Sequence, residues 1–352
     1  MRRATAIRPL LWAACCLAGL AAPAQTNAPR FRNLAPVKAV LVLHGESKDS
    51  LIVREVTLLG RADNLLLAQG TQSGAGSYRI EKSQIVRCEF DFAYDNMAVA
   101  NALRDNDWAA AVRALSPIVR PSFPYLDIPD NNGLELAMDL GMYMVSSADR
   151  ELRAAPDAAA RERALKQYAA AYEVFRCAAT ADWSPVGRVA LLKGCLARLA
   201  QGQTDKAQSE LSELSPPDPD DPAYGHYWLV TGEILRRSGS PLGALNAAVK
   251  SVAFANKDIE TFPLALLLSA DCYAALGQYH RARDVYYEVA VLFGGTDWAE
   301  DALARLKGIM ADKKTFEKEE ELIENVFFNM TEDMNKLSDE LLKARAKPKA
   351  KN

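Results

Sequence analysis

A spacing of 37 and 38 residues constrains this chain more than any other feature. Leu199-Ala200-Gln201-Gly202, Arg236-Arg237-Ser238-Gly239 and Ala274-Ala275-Leu276-Gly277 align, and in each case an alanine follows the glycine by five residues: Ala207, Ala244 and Ala282. Each period spans about two amphipathic helices, too few to bury an apolar face alone, so neighbouring units must stack. The punctuation agrees. Ser184-Pro185, Asp221-Pro222 and Ser240-Pro241 put a capping residue before a proline at helix starts, and Gly202, Gly239 and Gly277 stand just past the end of apolar runs. From Tyr94 to about Ala346 the apolar residues recur at spacings of three and four, which predicts helices of about 12 to 18 residues joined by short turns.

These residues resemble the tetratricopeptide repeat (TPR) family. Counted from Gly225, Trp228, Gly232, Gly239, Ala244 and Ala248 take the pattern's large, small, turn, small and packing positions. Counted from Pro263, Leu266, Ala270, Tyr273, Gly277, Tyr279, Ala282 and Tyr286 do so, and counted from Arg188, Leu191, Cys195, Gly202, Ala207, Leu211 and Pro219. A weaker copy begins near Phe92 with Val99, Trp108, Ala111 and Leu115, and the stretch from Gly133 to Thr180 departs from the spacing. The resemblance implies an α-solenoid over 93–311 whose concave face holds a protein or peptide. Carried over position by position, the groove residues are His226, Leu229, Glu233, Arg236 and Arg237, then Leu264, Leu267, Asp271, Ala274 and Ala275. Arg236 and Arg237 can clamp a carboxylate or form a solvated helix-terminal pair. One repeat earlier the same positions hold Val189, Leu192, Leu196 and Leu199, too apolar for a wet groove; either the register is off by one or another element covers them.

The amino-terminal part has a different period. From Val37 to Phe92 apolar residues alternate or run in short stretches, at 37–43, 51–53, 56–59, 65–68 and 85–90, separated by turn residues. A five-strand module follows, expected to close into a small barrel because a lone sheet of this size has edges to hide. In outline it resembles the Sm-like or SH3-like barrels that precede helical repeats in some exported bacterial proteins. The glycine-rich 70–76 segment lacks the Lys-Ser/Thr of a phosphate loop and precedes strand-like Tyr78-Arg79-Ile80, so it reads as a hairpin loop.

Arg2, Arg3 and Arg8 before an apolar run, with Ala22-Pro23-Ala24 behind it, predict a signal peptide over 1–24 and a linker over 25–36. Cleavage leaves 39 basic against 45 acidic residues, no concentrated basic surface for nucleic acid, and no stable membrane insertion. The expected location is periplasmic or outer-envelope associated. Cys88, Cys177, Cys195 and Cys272 form no CxxC or Cys/His cluster and read as buried hydrophobes, with a Cys177–Cys195 bridge as the competitor.

Beyond the repeats, Leu322, Ile323, Val326, Phe327, Met330, Met334, Leu337 and Leu341 make an apolar stripe within 312–346, suited to capping the last repeat or to self-association, with Ile323, Val326, Phe327, Met330 and Leu337 as its centre. A basic tail follows over 347–352. No HExxH, GxSxG or Cys/His pair is present, and His44, His226 and His280 are the only histidines. The chain therefore reads as mostly α with a small β module, as a non-catalytic scaffold of the bacterial envelope, with no metal or cofactor expected. The alternative is a member of, or accessory to, an envelope-remodelling hydrolase system with a site at the barrel–solenoid junction, marked by a pocket that gathers His44 or His226 with carboxylates.

Overall fold

The computed structural model describes residues 32–311, apart from 46, 48, 49, 72–75, 94, 95, 155, 156 and 255–257, together with 316–319, 332 and 336. The expected signal peptide, the centre of the carboxy-terminal stripe (Ile323, Val326, Phe327, Met330, Leu337) and the basic tail lie outside the described residues.

Five antiparallel strands come first: β1 (Arg32–His44), β2 (Leu51–Ala62), β3 (Leu65–Gly70), β4 (Ser77–Glu81) and β5 (Ile85–Phe90). The runs at 51–53 and 56–59 belong to one strand, β2, and the fifth strand is β4 behind the glycine-rich loop. β1 starts inside the expected linker. The order is β4-β3-β2-β1-β5, so β4 and β5 are both edges and the expected closed barrel is not formed.

The physical reason is that the helical part takes the edge β5 would have used. Phe90 donates its N–H to Asn132 Oδ1 at 2.8 Å and accepts Asn132 Nδ2 at 3.0 Å, the Cys88 N–H donates to the Asp130 carbonyl at 3.4 Å, and Cys88 bridges Asn131 in parallel. Tyr125 and Ile128, from the connector that follows the second helix, fill the sheet's core beside Leu41, Leu58 and Leu66. Asp127 lies between them in sequence and ties the same connector to the sheet. It accepts both guanidinium nitrogens of Arg61 at 2.5 and 2.7 Å and Lys82 at 2.9 Å, while Arg61 also donates to the Pro124 carbonyl at 2.6 Å. Burial opposes the charge on Asp127, but Arg61 and Lys82 outweigh it and hold the carboxyl below its usual range.

Eleven helices follow among the described residues. α1 (Asn96–Arg104) and α2 (Trp108–Val119) form the first hairpin, with Val99, Ala111 and Leu115 buried as the weak early repeat implied. α3 (Gly133–Ala154) and α4 (Ala158–Ala178) are the long pair that breaks the spacing. The aligned segments then fold as three hairpins: α5 (Pro185–Ala200) with α6 (Thr204–Ser212), α7 (Ala223–Arg237) with α8 (Pro241–Phe254), and α9 (Thr261–Ala275) with α10 (Tyr279–Leu292). α11 (Asp297–Met310) closes the series.

The three repeat turns are equivalent in their hydrogen bonds. Gly202, Gly239 and Gly277 have φ of 77°, 79° and 76°, left-handed values that cost a side chain strain. In each turn the next residue's N–H reaches back five positions at 2.9 Å, Gln203 to Arg198, Ser240 to Leu235 and Gln278 to Tyr273. Ala207, Ala244 and Ala282 are then fully buried where the second helix of each hairpin crosses the first. At Gly232 a Cβ would stand 2.7 Å from Leu268 Cδ2, which explains the small residue the pattern places there. Cys88, Cys195 and Cys272 are buried, Cys177 is half-buried, and all four are free thiols.

Candidate functional site

The first helices of the hairpins, α3, α5, α7 and α9, line a concave cavity of about 370 Å³ together with α11 and with Tyr168 and Phe175 of α4. All five groove residues carried onto α7 border it: His226, Leu229, Glu233, Arg236 and Arg237. On α9, Leu264 and Leu267 do so. Asp271 does not reach the cavity; it accepts Tyr286 Oη at 2.5 Å and Arg305 Nη1 at 2.6 Å just beyond it. On α5 the carried-over positions divide: Val189 and Leu192 belong to the core between α5, α6 and α7, while Leu196 and Leu199 border the cavity beside Lys193, Ala197 and Ala200.

The middle of the cavity is aliphatic and its two ends are charged. At the end formed by the start of α7 and α9, Lys193 forms an ion pair with Glu260 and lies 3.1 Å from Met142 Sδ on α3. Beside it Thr261 donates its hydroxyl to Asp258 Oδ2 at 2.6 Å, and His226 Nε2 lies 3.0 Å from the same hydroxyl oxygen. Asp258 also accepts the N–H groups of Glu260 at 3.0 Å and Thr261 at 3.1 Å, so it caps α9. Burial, reinforced by the charge of Lys193, pushes the His226 pKa down to about 4, although Asp258 and Glu260 oppose the shift.

At the other end Arg236 donates to Glu233 at 2.9 Å and Arg237 approaches the same carboxylate at 3.5 Å. Here α3 meets α11. Arg153 donates to the Asp297 side chain at 2.9 Å and to its carbonyl at 3.1 Å, with Asp301 at 3.6 Å, a latch between residues 144 positions apart. Tyr168 on α4 donates to Asp149, whose pKa burial raises.

A histidine, a threonine hydroxyl and an aspartate together invite comparison with a nucleophilic triad. The proton arrangement argues otherwise. The single hydroxyl proton of Thr261 goes to Asp258, so His226 is placed as donor to the oxygen and not as the base that would activate it, and its Nδ1 stands 3.6 Å from Asp258. The cavity does gather His226 with Glu233, Glu260, Asp149 and Asp301, but on the concave face. The sheet–solenoid junction holds Arg61, Lys82 and Asp127, and His44 lies on β1. Among the described residues no cluster of three or more His, Cys, Asp or Glu is arranged to hold a metal, and no helix is long and apolar enough to cross a membrane.

Sequence reasoning missed Lys193, Arg153, Asp301 and Arg305 as cavity residues. Lys193 breaks an otherwise apolar face of α5 and was the one available signal. Pairing of Arg153 with α11 depends on the curvature of the whole helix stack.

No protein-family model matches the chain, and no curated protein matches it. Among solved structures, a variant of a Podosopora anserina kinesin-light-chain-like protein with nearly identical TPR-like repeats aligns at 15% identity and a TM-score of 0.36, over 55% of this chain and 90% of that one. PilW, a type IV pilus biogenesis factor, aligns at 16% and 0.31 over 59% and 96%. The TPR domain of P58(IPK) aligns at 13% and 0.30 over 61% and 64%. Similarity at this level leaves the repeat architecture to stand on the three equivalent glycine turns and the hairpins they join.

Proposed function

We propose that the protein is a non-catalytic interaction scaffold of the bacterial envelope that holds a segment of another protein against the concave face of its helix hairpins. The observation that carries this reading is the cavity itself. Seven residues assigned to a groove from the repeat pattern, His226, Leu229, Glu233, Arg236, Arg237, Leu264 and Leu267, border one concave space with an aliphatic middle and charged ends. Apolar side chains of a partner find Leu196, Leu264 and Leu267 there, and a partner's acidic group finds Arg236 and Arg237 at the rim. The sheet is built into the same body through Asp127 and Asn132, which favours a role in orienting the solenoid. Export rests on the amino-terminal sequence, and a periplasmic protein whose first residue is Gln25 would bear it out. Association of copies through the carboxy-terminal stripe is a second contact compatible with this role.

The test is partner capture from envelope extract by the mature chain and by the Arg236→Glu/Arg237→Glu double variant. Capture of a stoichiometric partner that is lost in the variant at unchanged melting temperature supports the groove. Equal capture by both proteins removes the groove from the account.

A further inference from the structure

α11 packs on the hairpin before it as α9 packs on α7 and α8, one shift of 37 residues along the chain. Ala265 and Cys272 of α9 lie in a core with Leu229, Ala244 and Ala248, and their counterparts Ala302 and Ile309 pack in or against the next core, with Ala282 and Tyr286. The same shift carries Leu266 and Tyr273, which pack with α10, onto Leu303 and Met310. Those two are 43% and 50% exposed, whereas Leu266 is buried. A repeat array needs a polar outer face where it ends. α11 instead presents an apolar pair at the positions that meet a second helix in the hairpin before it.

The start of such a helix is already seated. Phe316 falls 37 residues after Tyr279, and its ring lies 6.3 Å from that of Tyr279 and 5.0 Å from that of His280. Glu319 falls 37 residues after Ala282, at the position that Ala207, Ala244 and Ala282 hold in the three hairpins, and it is buried as they are. Its carboxylate accepts the His280 N–H at 3.0 Å in the first turn of α10, which compensates for an acid at a position otherwise filled by alanine. Outside the described residues the sequence keeps the register: Ile323, Val326 and Met330 stand 37 residues after Tyr286, Val289 and Phe293, the side chains with which α10 covers α9.

We infer that 316–330 is the second helix of a fourth hairpin, and that Ile323, Val326 and Met330 dock on Leu303 and Met310 of the same chain. The occupant is identified by three separate observations: the unfilled apolar pair, the seated start at Phe316 and Glu319, and the continued period. α10 has 14 residues, and a helix of that length from Phe316 ends at 329. Met334, Leu337 and Leu341 lie past that end and are the part of the stripe left for a second copy, so Ile323, Val326 and Met330 leave the expected self-association surface. None of the docking residues on α11 borders the concave cavity, so this assignment stands or falls apart from the groove reading.

Amide hydrogen exchange over α11 in the mature chain tests it. Ile323→Asp/Val326→Asp speeds exchange in α11 roughly tenfold or more and leaves α7 unchanged, because α11 loses its cover and nothing else. Met334→Asp/Leu337→Asp leaves α11 as in the wild type. Leu303→Ser/Met310→Ser, at exposed positions that the rest of the fold does not need, gives the same acceleration and keeps the test decisive should the Ile323/Val326 variant not fold. Combining the two pairs adds little to either, since both remove one contact. Sedimentation velocity across a concentration series identifies the source of the cover: protection of α11 that is independent of protein concentration is expected. Protection that rises with concentration alongside a dimer assigns the cover to a second copy and overturns the inference, as does unchanged α11 exchange in both the Ile323/Val326 and the Leu303/Met310 variants.

Discussion

His226 makes the fold sensitive to acid through a route that can be isolated. The residue is 6% exposed, and its ring lies 3.0 Å from Thr261 Oγ1 and faces Lys193 on α5 as well as Asp258 and Glu260 before α9. The folded protein therefore holds the ring neutral, with a pKa near 4 against about 6.5 in the unfolded chain. Because the folded pKa is depressed, the unfolded state binds the extra proton between these values, and stability falls as pH drops from about 6.5 towards 4. At pH 5 the linkage relation gives a loss of about 2 kcal/mol relative to pH 7 from this residue alone. Asp139, Asp149 and Asp301 act in the opposite sense, since burial raises their pKa values and lowering the pH relieves that cost. The comparison that isolates His226 is with His226→Gln, which keeps an N–H donor and does not titrate. Urea denaturation of both proteins at pH 7 and pH 5 should give a stability difference between the two pH values that is about 2 kcal/mol larger in the wild type. Parallel pH profiles would refute the reasoning.

Three further outcomes follow from other parts of the fold. Asp127→Ala leaves Arg61 and Lys82 without their shared carboxylate; the carboxylate is only 14% exposed, but Arg61 keeps the Pro124 and Asp63 carbonyls, so a loss of about 2 kcal/mol is expected in denaturant unfolding at pH 7. Gly239→Ala forces a side chain into a φ of 79° where nothing crowds it, and the cost of about 1 kcal/mol in the same assay is conformational. Arg153→Ala opens the α3–α11 latch: its groups are partly exposed, so stability changes by about 1 kcal/mol or less, while small-angle scattering shows an increased radius of gyration.

The parts of this architecture that were legible in the sequence are those fixed by local chemistry. A glycine in the left-handed region and a fully buried alanine five residues later are demanded by each hairpin, so Gly202, Gly239 and Gly277 announced the repeat. Once the period was set, the cavity-facing positions of α7 followed, because one helix has one concave face. On α5 the same counting held for Leu196 and Leu199 only, since Val189 and Leu192 are needed in the core and Lys193 turns towards Glu260. The open sheet was illegible for a different reason. Whether β5 closes against β4 is decided by Asn132 and Asp130, about forty residues downstream, which take the hydrogen bonds of Cys88 and Phe90. β4 was legible in part, because Tyr78-Arg79-Ile80 behind the glycine-rich loop already reads as strand-like. The latch is the extreme case, with Arg153 and Asp297 made neighbours by the accumulated curvature of all the helices between them.

Hydrogen–deuterium exchange on the mature chain, alone and with its captured partner, tests the concave face most directly. Added protection should concentrate in α5, α7 and α9, with the residues around Leu196, Arg236 and Leu264 slowed and the outer helices α6, α8 and α10 unchanged. Protection confined to the outer helices or to the sheet, with α7 unaltered, would contradict the assignment of the concave face as the binding surface.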